Sequence, residues 1–100
     1  MQLIPLNSQI PRYTFRIDLD DTAYFFEFVY NVRSERWNIK IEDGEGRIVI
    51  DSAVAIGFDY LQYEEGSPGA LAFVYFGSGN PDKCGRNDLG NDWKLFFKAL

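Results

Sequence analysis

Apolar and polar side chains alternate with a period of two through much of this chain, and that period belongs to strands rather than helices. In RYTFRIDL, Tyr13, Phe15, Ile17 and Leu19 alternate with Arg12, Thr14, Arg16 and Asp18, which places the four apolar side chains on one sheet face. RWNIKIED repeats the pattern with Trp37, Ile39 and Ile41 against Arg36, Asn38, Lys40 and Glu42. Both read as half-buried antiparallel strands. Asp20-Asp21 and the NVRSER segment supply turns, and Asp43-Gly44 is a favoured hairpin dipeptide leading into RIVID. The simplest reading of Arg12 to Asp51 is a meander of four strands.

The second half is less regular. Gly57, Gly66, Pro68 and Gly69 break SAVAIGFDYLQYEEGSPGAL into turns or short strands. ALAFVYF then reads as a strand with apolar residues on both faces, followed by the polar loop GSGNPDKCGRNDLGND. The closing WKLFFK alternates again, with Trp93, Leu95 and Phe97 opposite Lys94, Phe96 and Lys98. An apolar terminus must be held by something, because a frayed end does not offset its own ordering entropy. A terminal strand completing the core answers this for Trp93, Leu95 and Phe97, and leaves Phe96 and Leu100 without a role inside the fold. The expected fold is all-β, a small antiparallel β-sandwich or partly open barrel, as a single domain over residues 1–100. Residues 1–11 form either an edge strand of that sheet or an N-terminal docking arm, with Pro5 confining the segment to an edge.

Composition limits what such a domain can do. At 46% hydrophobic content in 100 residues the chain folds around a modest core. Cys84 is the sole cysteine, so no internal disulfide forms, and nothing argues for an oxidising compartment. MQLIPLNSQIPRY does not read as a secretion signal, and no stretch approaches the roughly 20 apolar residues that span a bilayer. The expectation is a soluble protein made in a cytoplasm. The net charge of −5, with no basic cluster, argues against nucleic acid.

Catalysis finds little footing. With no histidine there is no Ser-His-Asp or Cys-His pair. Cys84 lies beside Lys83 and Arg86, neighbours that lower a thiol pKa but supply no base, so it reads as an incidental thiol. Asp18, Asp20, Asp21, Glu64 and Glu65 offer carboxylates for glycosidase-type chemistry, yet acids in turns are usually solvated. DLDD lacks the glycine and distal glutamate of a calcium loop, and GSGNPDKCG lacks Walker spacing. No metal or cofactor is expected.

The segment AYFFEFVYNV poses a different problem. If Tyr24, Phe26, Phe28, Tyr30 and Val32 face the core, Phe25 and Val29 flank Glu27 on the opposite side. Either a second layer of this domain or a protein partner covers them. Phe25, Phe96 and one more large neighbour, if adjacent and exposed, make an apolar patch of roughly 500 Å², near the upper end for a free monomer.

The order of these features resembles a known family. Ile4-Pro5-Leu6, the strand YTFRIDL, the aromatic strand YFFEFVYNV and the hairpin RWNIKIEDGEGRIVI with its Gly46 are followed by AVAIGFDYLQY, SPGALAFV and DLGNDWKLFF. This succession, spanning almost the whole chain, resembles the baseplate plug proteins of contractile-tailed phages, including cyanophages. Gly77 to Arg86 departs from the pattern, so no role carries over to that stretch, and the family offers no catalytic motif. The resemblance implies a structural part of the virion tail baseplate, assembled in the host cytoplasm near the tail axis. Its implied partners are hub, spike, tail tube or wedge proteins in a hetero-oligomeric assembly that holds one or several copies per particle. No nucleic acid or membrane is involved. The expected partner interface comprises Leu3, Ile4, Pro5, Leu6, Phe25, Val29, Phe96 and Leu100. A second reading is a free-standing β-sandwich module for carbohydrate or peptide, with Trp37, Tyr60 and Tyr63 as an aromatic platform. An enzyme using Glu64 or Asp59 comes third.

Overall fold

A computed structural model describes residues 2–56, 58–61, 69–78 and 84–99. They form seven strands and no helix: β1 (Gln2–Ile4), β2 (Arg12–Leu19), β3 (Thr22–Asn31), β4 (Arg36–Asp43), β5 (Ile48–Ala53), β6 (Gly69–Tyr75) and β7 (Trp93–Ala99). All strand pairings are antiparallel, in two sheets of order β2-β3-β4-β5 and β1-β7-β6. The two packed sheets make a sandwich rather than a closed barrel.

The four-stranded sheet is the expected meander. Its tightest corner is Asp20-Asp21, where both residues take positive φ, 52° and 67°. Such paired left-handed residues match the twist of flanking strands in a two-residue hairpin, and aspartate tolerates them better than most side chains. Asn31 shapes the next connection: its Oδ1 accepts the backbone N–H groups of Arg33 at 3.0 Å and Ser34 at 3.3 Å. The third hairpin differs from expectation. Asp43-Gly44 does not carry its positive φ; Gly46 does, at 83°. Asp43 instead caps the loop, with Oδ1 accepting from the N–H groups of Glu45 and Arg47, both at 2.9 Å. These donors, that of Arg47 foremost, hold the Asp43 carboxyl below its ordinary range.

Alternation decides what is buried. From β3 the side chains of Tyr24, Phe26 and Phe28 enter the core, and from β4 those of Trp37, Ile39 and Ile41. The three-stranded sheet answers with Leu71, Phe73, Trp93, Leu95 and Phe97. Phe28 and Phe73, one from each sheet, meet edge to face with centroids 6.5 Å apart, a geometry that aligns the positive ring edge with the negative face. Val32 does not join this core. It lies beyond the end of β3, in the turn, and is 79% exposed.

The first and last strands share one ladder. β7 is the middle strand of its sheet, so Trp93, Leu95 and Phe97 are covered by the facing sheet, each worth about 1.5–3 kcal/mol of burial. β1 pairs alongside it in the register Gln2 with Phe97, Leu3 with Phe96 and Ile4 with Leu95. On the far side of β6, residues of the 54–56 and 58–61 stretches contact the sheet edge. Ile56 bridges Phe73 in parallel, and the Tyr60 N–H donates to the Leu71 carbonyl at 2.8 Å. Asp59 Oδ1 accepts the N–H groups of Leu61 and Leu71, both at 3.0 Å.

Candidate interaction surfaces

Of the residues expected at a partner interface, Leu3 and Phe96 fall on one outer face and Phe25 and Val29 on the opposite one. On β7, Phe96 alternates with buried Leu95 and Phe97 and therefore points away from the facing sheet. Its register partners are Leu3 on β1 and Ala72 on β6, so the three share one row. Val74 and Phe76 continue the outward side of β6. Leu3, Val74 and Phe76 are 52%, 40% and 58% exposed, and the Phe76 ring lies 6.0 Å from that of Phe96. At the end of β1, Leu3, Ile4, Pro5, Leu6, Gly90 and Lys94 line a groove.

Phe25 belongs to the other side of the molecule. It alternates with buried Tyr24 and Phe26 and stands between Arg16 on β2 and Glu42 on β4. Val29 stands two residues on, between Arg12 and Asn38. Their surroundings are charged and internally paired: Arg12 with Glu27 at 3.3 Å, Arg16 with Asp18 at 3.3 Å and Lys40 with Glu42 at 3.2 Å. The single patch combining Phe25 with Phe96 is thus corrected, because the whole sandwich separates them. Ile4 is corrected as well: at 1% exposed it faces inward beside Leu95 and is sealed in the core. Leu100 lies outside the described residues.

Val74 and Phe76 are surface residues that the reading of ALAFVYF as apolar on both faces does not single out. Their signal was present in ALAFVYF, where Ala70, Ala72, Val74 and Phe76 occupy one parity and Leu71, Phe73 and Tyr75 the other. Which parity faces solvent depends on the other sheet.

The aromatic platform of the binding-module reading does not form. Trp37 and Tyr60 are 0% and 3% exposed, with the Trp37 Nε1–H donating to the Gly85 carbonyl at 3.0 Å and the Tyr60 hydroxyl accepting the Ala55 N–H at 2.8 Å. Tyr63, Glu64 and Glu65 lie outside the described residues. Asp59 is occupied by its two backbone donors.

Cys84 is buried rather than activated. Its surroundings push the thiol pKa up, first through desolvation and then through the charge of Asp88, the reverse of the lowering expected from Lys83 and Arg86. Arg86 is turned away onto aromatic rings, its guanidinium 5.7 Å from the Tyr30 centroid and 5.6 Å from that of Trp37, while Nη2 donates to the Gln9 carbonyl at 3.0 Å. Among the described residues no group of three or more Cys, Asp or Glu side chains converges as a metal site.

What the geometry defines is a small two-sheet antiparallel sandwich that displays side chains on two outer faces. The chain belongs to the family described as cyanophage baseplate Pam3 plug gp18, whose profile it matches over residues 1–99. It is a structural component of a phage tail baseplate and assembles there with other baseplate proteins. A search of curated proteins found no match.

Proposed function

We propose that this chain is a non-enzymatic, hub-associated plug that joins neighbouring baseplate proteins near the tail axis. The observation carrying this reading is the outward row of Leu3 and Phe96 with Val74 and Phe76 beside it, in which Leu3, Val74 and Phe76 are exposed and Phe96 is partly so. A plug bounded by other proteins has use for such surface, since each contact stabilises the particle. Phe25 and Val29 lie on the opposite side and serve a separate contact, so the plug touches two neighbours drawn from the hub, spike, tail tube or wedge proteins. Leu3 and Pro5 contribute the outward side of the N-terminal edge, while Leu6 packs partly against the core.

The test is an affinity pull-down of the tagged chain from phage-producing cells under mild salt, read by mass spectrometry. The expected outcome is co-purification of hub, spike, tube or wedge proteins, with Phe96→Asp and Phe25→Asp each losing a different partner. Recovery of the chain alone, from lysates whose intact tails lack it, overturns the proposal.

A further inference from the structure

We propose that the outer face of the β1-β7-β6 sheet docks an apolar, acidic segment of another baseplate protein, held by Lys94 and Lys98 on either side of Phe96. The proposal rests on the baseplate reading and adds the chemistry of the partner.

Charge carries the argument. The chain has a net charge of −5, yet the strands QLI, GALAFVY and WKLFFKA contain two lysines and no carboxylate. Both lysines lie on the outward parity of β7, in register with Val74 and Ala70 respectively. Three cations on the opposite face are matched within the chain by Glu27, Asp18 and Glu42. Among the described residues no carboxylate pairs with Lys94 or Lys98. Lys94 instead places its ammonium 5.4 Å from the centroid of exposed Phe76, a contact that leaves its charge available.

Spacing narrows the partner further. Three residues intervene between the two lysines, so four steps of roughly 3.4 Å set them about 14 Å apart, with Phe96 midway. A complementary segment carries two carboxylates at about that separation and apolar side chains between them, to lie on Leu3, Phe96, Val74 and Phe76. Apolar contact supplies the burial, while the charge pairs set register and exclude basic partners. A basic or purely apolar segment satisfies only part of the face.

The test uses purified virions and the free full-length chain. Amine acetylation followed by peptide mass spectrometry should show Lys94 and Lys98 protected at least ten-fold in the particle relative to the free chain. Carbodiimide coupling of virions should join one of these lysines to an Asp or Glu in an apolar stretch of a different baseplate protein. Lys94→Glu/Lys98→Glu should reduce incorporation into baseplates about ten-fold with an unchanged melting temperature, and Lys94→Arg/Lys98→Arg should restore it. Equal acetylation in both states, coupling only to carboxylates of a second copy of this chain, or normal incorporation of the double glutamate variant overturns the docking proposal while leaving the baseplate reading intact. Absence of the wild-type chain from purified baseplates overturns both.

Discussion

Leu3 and Phe96 stand opposite each other across the β1-β7 ladder with their side chains on the outer face, and the very next pair, Ile4 and Leu95, faces the core. One three-residue strand thus serves two purposes. Its inward residue helps close the sandwich, and its outward residue adds to the exposed apolar row.

This division predicts different consequences for neighbouring substitutions. Ile4→Ala removes a fully buried side chain and should destabilise the domain by about 2–5 kcal/mol. Leu3→Ala, half exposed, should cost no more than about 1 kcal/mol in the free chain, yet weaken incorporation into baseplates. Urea unfolding of the two variants, compared with their abundance in purified particles, separates the roles. Equal loss of stability would show that β1 is not registered as described.

Gly90 and Gly46 both hold positive φ, 82° and 83°, but their surroundings differ. A Cβ at Gly46 meets nothing within 4 Å, whereas one at Gly90 comes within 2.9 Å of the Leu6 carbonyl oxygen. Gly46→Ala should therefore cost only the left-handed penalty of about 1–2 kcal/mol. Gly90→Ala should cost more, because the backbone of the N-terminal segment must also move aside. Thermal melting of both variants checks the order, and a smaller loss at Gly90 would contradict the close approach of Leu6.

Cys84 and Tyr60 predict an alkaline limit to stability. Burial raises the Cys84 thiol above its ordinary value of 9.0 and pushes the Tyr60 hydroxyl from 10.0 up to about 12. Each group ionises more readily in the unfolded chain, so its stabilising contribution is complete below the unfolded value and is lost as pH rises towards the folded one. The melting temperature should hold to about pH 9 and then fall, with Tyr60 contributing between about pH 10 and 12. Tyr60→Phe should flatten that upper limb even if it lowers the starting stability. At pH 8 a thiol reagent should leave Cys84 unmodified in the native chain and titrate one equivalent in denaturant; rapid native modification would show that the thiol is not sealed.

Much of the fold was legible because a strand prints its two faces on the sequence. The alternation in RYTFRIDL and RWNIKIED locates β2 and β4, and the apolar parity of WKLFFK places β7 as a strand with Trp93, Leu95 and Phe97 inward. The turn at Asp20-Asp21 was legible from residue type, whereas the third hairpin was not. Asp43-Gly44 carries the common signal, but the backbone took a longer loop in which Asp43 serves as acceptor and Gly46 supplies the left-handed residue.

The candidate surfaces were less legible. Phe25 and Phe96 are both aromatic residues on the wrong parity for a single core, and both point outward. Nothing local says that they point in opposite directions. Nor does the neighbourhood of Cys84 in sequence disclose its burial, since Arg86 is drawn onto Tyr30 and Trp37, which lie on two strands far away in the chain.

By itself the sequence determined the strand class, the four-stranded meander, the lack of a histidine-based catalytic pair and the parity of each alternating segment. Only the tertiary structure decided that β1 closes against β7, that Ile4 is core while Leu3 is surface, and that Phe25 and Phe96 lie on opposite faces. The reason is physical. A period of two specifies which residues of one strand lie together, but which of its faces is buried, and beside what, is settled only when distant strands pair and the two sheets stack.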